Sequence, residues 1–116
     1  MRTFRQLKKR FKEYGKIDYI YWPEGYMVWR IGTGDNIEIL FIEVSEKRKG
    51  MGTKLFKEFL KRINPYHSVF VFHLASRKDA EKFYKSVGFN KSIKCGIYKD
   101  DKTVLRWATY EELQNN

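Results

Sequence analysis

Apolar residues near the start of the chain recur at helical spacing: Phe4, Leu7, Phe11 and Tyr14 fall on one face, and Arg5, Lys8, Lys9 and Lys12 on the other. Thr3 can cap this helix and Gly15 stops it. The pattern then shortens to that of strands. "KIDYIYW" is followed by a Pro-Glu-Gly turn at residues 23 to 25 and by "YMVWRIGTGDNIEILFIEV", in which Gly32 to Asn36 reads as a second turn. Three antiparallel strands are expected.

From residue 55 the grammar changes. Leu55, Phe56, Phe59, Leu60 and Ile63 mark a helix, "HSVFVFHL" a buried strand, and Ala80, Phe83, Tyr84 and Val87 a further helix ended by Gly88. Ser76 with Asp79 three residues on predicts a capping box for that helix. "FNKSIKCGIY" and "KTVLRWATY" form a second hairpin around the Lys99 to Lys102 turn, followed by a short tail. A strand flanked by helices on both sides lies most simply parallel to the strand at 37 to 44, through a helical crossover. The fold class is therefore α+β with a mixed sheet.

Composition narrows the chemistry. A chain of 116 residues, 42% hydrophobic and 17% aromatic, is long enough for one core and is read as a single domain over residues 1–116. Twenty-four Lys and Arg against 14 Asp and Glu give a net charge of +10, which favours anionic partners such as nucleic acid, phosphate-bearing cofactors or acidic proteins. The lone Cys95 rules out an internal disulfide and a cysteine zinc cage, and with His67 and His73 the only imidazoles no metal site is expected. No apolar run approaches the roughly 20 residues that span a bilayer, and the first residues lack a signal-peptide block. A cytoplasmic protein is expected. The basic amphipathic start also fits import or membrane-surface binding, although Phe4, Leu7, Phe11 and Tyr14 suit a core.

The stretch "EVSEKRKGMGTKLFKEFL" at residues 43 to 60 raises the sharpest question. A strand ending at Val44, a turn holding Gly50 and Gly52, and a helix beginning near Gly52 would aim main-chain N–H groups and a positive dipole end at one spot. Lys47, Arg48, Lys49 and Lys54 add charge there. Two glycines match neither the Walker pattern nor the dinucleotide fingerprint, so spacing alone leaves an anion site and a solvated turn equally open.

Two motifs together are more specific. "KRKGMGTKLFKEFL" and, some thirty residues later, "DAEKFYKSVGF" resemble the GCN5-related N-acetyltransferase (GNAT) family, which has Arg/Gln-x-x-Gly-x-Gly/Ala at a helix start and Ala-x-x-Phe-Tyr-x-x-x-Gly-Phe in the next helix. The resemblance covers residues 36 to 107. It implies a mixed, mostly antiparallel sheet flanked by helices, with a splay between its two central parallel strands, and acetyl-CoA as co-substrate. The N–H groups of Arg48, Lys49, Gly50, Met51, Gly52 and Thr53 would bind the pyrophosphate, and main-chain groups of Ile42, Glu43 and Val44 the pantetheine arm. Lys47 stands where the family has Arg or Gln, and Arg77 where it often has Asn, so that Arg77 could meet a phosphate. One helix precedes the hairpin where many members have a strand and two helices.

The resemblance also implies roles for side chains. Tyr84 matches the tyrosine near the sulfur that serves as general acid. On its own pattern it lies on the Ala80, Phe83 and Val87 stripe and is equally a core residue. Glu38 falls in the strand where some histone-acetylating relatives carry a base; simple alternation puts it on one face with Leu40, Ile42 and Val44, an apolar wall that would raise its pKa. Glu43 points the other way unless a bulge intervenes, and a solvated carboxylate is the alternative for both. His73 reads as a satisfied sheet histidine and a spare base. Trp22, Trp29 and Trp107 are expected to pack against helices, an exposed one being able to stack on a base, and Cys95 is too isolated for a nucleophile.

An acetyl-CoA-dependent N-acetyltransferase acting on a primary amine, with protein lysine or N-terminus as candidates, is thus the leading reading. A basic nucleic-acid or nucleoprotein binding module is the alternative from a different class, and a non-catalytic coenzyme A-binding relative is a third. Monomer and homodimer both stay open, with the C-terminal hairpin as a pairing edge.

Overall fold

The computed structural model describes residues 3–45 and 50–115. Helix α1 (Phe4–Phe11) begins where the pattern requires: the Thr3 hydroxyl accepts from Gln6 N at 3.2 Å, and the Gln6 side chain accepts from Thr3 N at 2.8 Å. This capping box occupies donors that an open helix end leaves unfilled. A single 3-10 turn (Lys12–Tyr14) and Gly15 at φ +79 then break the helix.

Six strands form one sheet in the order β1-β2-β3-β4-β6-β5. Strands β1 (Ile17–Trp22), β2 (Gly25–Ile31) and β3 (Asn36–Val44) pair antiparallel. Helix α2 (Met51–Arg62) then crosses to β4 (Ser68–Leu74), which runs parallel to β3. Helix α3 (Lys78–Ser86) leads to β5 (Lys91–Tyr98), and β6 (Asp101–Thr109) returns between β5 and β4, antiparallel to both. The expected α+β class and parallel central pair are both present.

Two irregularities of the sheet decide where its side chains and free edges lie. Parallel pairing covers only Asn36–Ile39 on β3 and Ser68–Val71 on β4, so the two strands diverge over their remaining lengths, to Val44 and Leu74. Strand β3 also carries a bulge: Val28 pairs with Phe41 and Trp29 with Ile39, leaving Leu40 as the extra residue.

Apolar side chains fill both faces of the sheet. On one face, Leu55, Phe56, Phe59 and Leu60 of α2, with Ile63 just beyond its end, pack with Met27, Trp29, Ile37, Ile39, Val69, Val71, Tyr84 and Phe89. Phe59 is fully buried, 4.9 Å edge-on from Trp29 and 5.4 Å from Phe56. On the other, Leu7 and Phe11 of α1 cover Tyr26, Val28 and Phe41. Among the described residues, α1 packs on that side of β1 to β3. Across β4, β6 and β5 the same face carries two cross-strand rows, Phe72–Leu105–Ile93 and Phe70–Trp107–Lys91, with Phe72 45% and Ile93 56% exposed.

The structure corrects two local expectations. The Ser76–Asp79 capping box does not form; Arg77 takes the N-cap position of α3, the Ser76 hydroxyl donates to Asp101, and Asp79 accepts from Arg77 at 3.0 and 3.1 Å. Nor is the C-terminal segment a tail. It forms helix α4 (Tyr110–Gln114), started by a Thr109–Glu112 capping box and pinned by Leu113 in the core and by Tyr110 Oη donating to the Leu60 carbonyl at 3.2 Å.

Glu112 also accepts from Lys91 at 2.8 Å. That bond first, then those from Thr109, holds the carboxyl at about 2, below its ordinary 4.5. The ionised form is therefore favoured in the folded chain, so its contribution is present above pH 4.5 and is lost as pH falls toward 2. Thermal unfolding followed across this window should show a midpoint that drops on acidification. Glu112→Gln should flatten the drop, and an unchanged slope would count against the docking of α4 through this carboxylate.

Candidate active site

The N-terminus of α2 differs from those of α1 and α4. Its N-cap is Gly50, no side chain caps it, and its first turn contains no acidic residue. The first main-chain bond back into the helix is from Lys54 N to the Gly50 carbonyl at 3.1 Å. The N–H groups of Met51, Gly52 and Thr53 thus precede the helical ladder and point along the positive end of the dipole. Such an end suits an anion. Lys47, Arg48 and Lys49 lie outside the described residues.

Both glycines of this turn have a physical reason. Gly50 sits at φ +74, a left-handed conformation costly for a residue with a Cβ. Gly52 is needed for closeness: a Cβ there would stand 2.8 Å from Cε1 of Phe83. The ring of Phe83 lies in turn 5.4 Å from that of Tyr84, so the start of α2 rests against the segment of α3 that carries Tyr84. Leu55, one turn into α2, and Val44, at the end of β3, both approach Gly25. The helix start, the end of β3 and Tyr84 are thereby gathered in one region.

Past Ile39 and Val71 the facing edges of β3 and β4 have no partner in each other, leaving main-chain groups of Leu40 to Val44 beside an opening. Ile42 and Val44 pack toward the α2 core. Glu43 points to the α1 side, where its carboxylate accepts from the Tyr26 hydroxyl. Ser45 N donates to the Glu24 carbonyl at 2.8 Å and fixes the strand end to the β1–β2 turn.

The bulge at Leu40 overturns the expected placement of Glu38. It reverses the alternation, so Glu38 shares its face with Glu43 and is separated from Ile42 and Val44 by the sheet. Its carboxylate meets a guanidinium rather than the Ile42 and Val44 wall. Oε1 accepts from Arg30 Nη2 at 2.8 Å and Nε at 3.0 Å, and the Arg30 guanidinium lies 5.3 Å from the Tyr14 ring. Glu38 lines a cavity of about 390 Å³ with Tyr14, Lys16, Arg30, Asn36 and Phe70.

Tyr84 lies on the other face, 7% exposed. Its ring is boxed by His73, stacked at 6.1 Å, by Phe83, and by Phe89 edge-on at 5.8 Å. The hydroxyl takes no partner from the described residues, and none of their side-chain nitrogens or oxygens is both buried and unpaired, so this oxygen is the accessible end of a buried ring. Burial pushes the phenol up to about 12, against a smaller downward pull from Arg77. Arg77 is itself pushed up, chiefly by its hydrogen bond to Asp79, and stands charged at the start of α3. Tyr84 is thus a core residue, as its pattern suggested.

Sequence reasoning missed Arg106. It is 3% exposed and donates from Nε to His73 Nε2 at 2.8 Å and from Nη1 to the Phe89 carbonyl at 3.1 Å. The signal was parity, since Val104, Arg106 and Ala108 alternate inward. With Nε2 accepting and Nδ1 against the Leu74 carbonyl at 2.9 Å, His73 is satisfied within the sheet, as its position suggested. Of the tryptophans, Trp29 is buried, Trp22 packs on the core, and Trp107 is 37% exposed with Lys91 Nζ 6.0 Å from its ring. Cys95 is exposed on β5.

Replacing the glycines should separate their roles in urea unfolding. Gly50→Ala is expected to lower stability by about 1–2 kcal/mol through left-handed strain. Gly52→Val is expected to lower it by about 1–3 kcal/mol through overpacking against Phe83, and to shift the Tyr84 amide resonance, which Gly50→Ala leaves unchanged. Equal disturbance by both would contradict this division.

Comparison with known proteins gives a consistent picture. A sequence model of the acetyltransferase (GNAT) domain matches residues 5–101. No curated protein matches the chain. Among solved structures it is similar to Arabidopsis thaliana NAA60 in complex with acetyl-CoA (TM-score 0.65, 17% identity, 93% of this chain and 84% of that one). It is similar also to a GNAT family acetyltransferase from Elizabethkingia anophelis with acetyl-CoA bound (0.65, 17%, 90% and 82%). The ribosomal-protein-S18-alanine N-acetyltransferase from Escherichia coli gives 0.62 at 19% identity, over 86% and 74%. At these identities the likeness is one of fold.

Proposed function

Because the chain belongs to the acetyltransferase (GNAT) family, we propose that it transfers the acetyl group of acetyl-CoA directly to a primary amine, with a protein lysine or N-terminus as acceptor. The observation that carries this reading is the meeting of the uncapped α2 N-terminus with the opening between β3 and β4. An elongated substrate with a pyrophosphate at one end and an amide-bearing arm needs anion-seeking N–H groups and, a short way off, free strand edges. Met51, Gly52 and Thr53 supply the first, and Ile42, Glu43 and Val44 the second. Lys47, Arg48 and Lys49 steer the phosphates, and Arg77 exchanges Asp79 for one of them.

The transfer forms a C–N bond and breaks the C–S bond of the thioester. The amine nitrogen loses one proton and the departing sulfur gains one. A phenol at about 12 does not surrender its proton to a thiolate of ordinary pKa about 8.5 unless the proton is replaced. Tyr84 therefore donates a hydrogen bond to the sulfur and passes its proton on as the substituted ammonium, far more acidic than a free amine, gives one up. Glu38 is the base on the acceptor side: it takes the proton that an acceptor arriving as a primary ammonium loses before attack, whereas the later proton of the substituted ammonium replaces the one Tyr84 gives to sulfur. Arg30 engages only Oε1, which leaves Oε2 to take a proton, and Glu43 is the nearest alternative on that face.

The uncovered Phe72–Leu105–Ile93 row supports a polypeptide acceptor over a small hydrophilic amine, and the exposed Arg5, Lys8 and Lys9 of α1 support one that is acidic or bound to nucleic acid. Among the described residues no helix is long and apolar enough to cross a membrane. The free edge of β5 supports pairing of two copies.

Turnover of acetyl-CoA with a peptide library tests the reading. Tyr84→Phe should lower kcat by about 10²–10⁴-fold and keep coenzyme A binding. With Tyr84 at about 12, kcat/KM should rise as the amine deprotonates, with no descending limb from this residue below pH 10. Absence of coenzyme A binding by the unmutated chain would overturn the assignment, and steeply salt-dependent binding of nucleic acid in its place would favour a basic binding module.

A further inference from the structure

Arg106 is a cation enclosed in the sheet core, and its anionic partner, Glu81, is only loosely engaged, at 3.5 Å from Nη2. Such an arrangement does little for stability, since an apolar side chain of similar volume often serves as well. What an apolar chain cannot supply is the rigid planar fork of N–H donors. All three arms of that fork end on groups that hold Tyr84. Nε grips His73 at 2.8 Å, whose ring stacks on Tyr84 at an interplanar angle of 23°. Nη1 grips the carbonyl of Phe89 at 3.1 Å; the Phe89 ring stands edge-on to Tyr84, and its N–H donates to the Tyr84 carbonyl at 2.9 Å. Nη2 meets Glu81, one turn before Tyr84 on α3. Because the guanidinium can only donate, it also fixes His73 in the tautomer with its proton on Nδ1, turned to the Leu74 carbonyl.

We propose that Arg106 is the positioning residue of acyl transfer: from β6 it locks the stacked ring, the edge ring and the helix turn that together orient Tyr84. Arg106 itself touches no substrate. The inference rests on the proton-donating role proposed for Tyr84. Each of its three partners lies on a different element, β4, the α3–β5 junction and α3, so one side chain sets the ring relative to the strand that borders the opening. Misplacement of a reacting group by about 1 Å is enough to lower a rate on the order of 10²-fold.

A kinetic double-mutant cycle tests this. Arg106→Lys keeps the charge and loses the fork. It is expected to lower kcat about 10- to 100-fold with the KM for acetyl-CoA unchanged, and to change kcat less than about twofold when Tyr84 is already Phe. His73→Gln keeps an acceptor for Nε and removes the stacked ring; the same vanishing effect in the Tyr84→Phe background is expected, which covers the case in which Arg106→Lys does not fold. Equal fold-losses in both backgrounds would show Arg106 to be merely structural and overturn the proposal. So would undiminished kcat in Arg106→Lys. If the unmutated chain binds no coenzyme A, the acetyltransferase reading falls and this one with it; if it turns over and the cycle shows no coupling, only the positioning role falls.

Discussion

The parallel ladder between β3 and β4 stops at Ile39 and Val71, and the rest of the structure depends on that stop. Up to there the pair is an ordinary sheet centre, with Ile37, Ile39, Val69 and Val71 buried on the α2 side. Beyond it the strands need other partners: Ser45 is tied back to Glu24, β4 continues against β6, and the facing edges are left open. A gap in the middle of a sheet is costly unless both faces are braced, because buried main-chain groups must be satisfied. The bracing is visible in α2 and α3 on one side and α1 on the other.

Polar capacity is placed with the same economy. Helices α1 and α4 close their N-termini with capping boxes, and α3 has Asp79 and Glu81 in its first turn. Among the described residues, only α2 of these helices has neither cap nor acid at its start. An uncapped, uncompensated helix end beside an open strand edge forgoes stability that a Ser or Asp cap would bring, typically about 1 kcal/mol. A ligand with phosphate at one end would restore it, the role proposed for acetyl-CoA. The surroundings of Tyr84 are aromatic and tightly boxed, whereas on the other side Glu38 lines a cavity with Lys16, Arg30 and Asn36, beside the α1-covered cluster of Tyr26, Val28 and Phe41. On the proposed reading, donor and acceptor chemistry lie on opposite sides of the sheet and meet through its gap.

Much of this was legible in the chain and the remainder was not, for identifiable reasons. Helix α1, the strands and the parallel crossover follow from local periodicity and turn residues, and the glycine and tyrosine motifs from their resemblance to the GNAT family, since spacing alone left the glycine turn open. The bulge at Leu40 has no side-chain signature, since "EILFIE" alternates as well with it as without it, and one inserted residue moved Glu38 to the opposite face from Ile42 and Val44. Ser76 met Asp101 across 25 residues of chain, where local reasoning supplied Asp79. Helix α4 was readable from Thr109 and Glu112. The inward parity of Arg106 was readable as well, but its partners His73, Phe89 and Glu81 are assembled only by the fold.

The central claim is that main-chain groups of the α2 start and of the β3 end hold one molecule of acetyl-CoA across the gap. Amide chemical shifts recorded during a titration with coenzyme A test it most directly. The account predicts large, saturable shifts at Met51, Gly52 and Thr53 together with Ile42 to Val44, and little change along the basic face of α1. Shifts confined to α1, or at the glycine turn without the strand end, would contradict it.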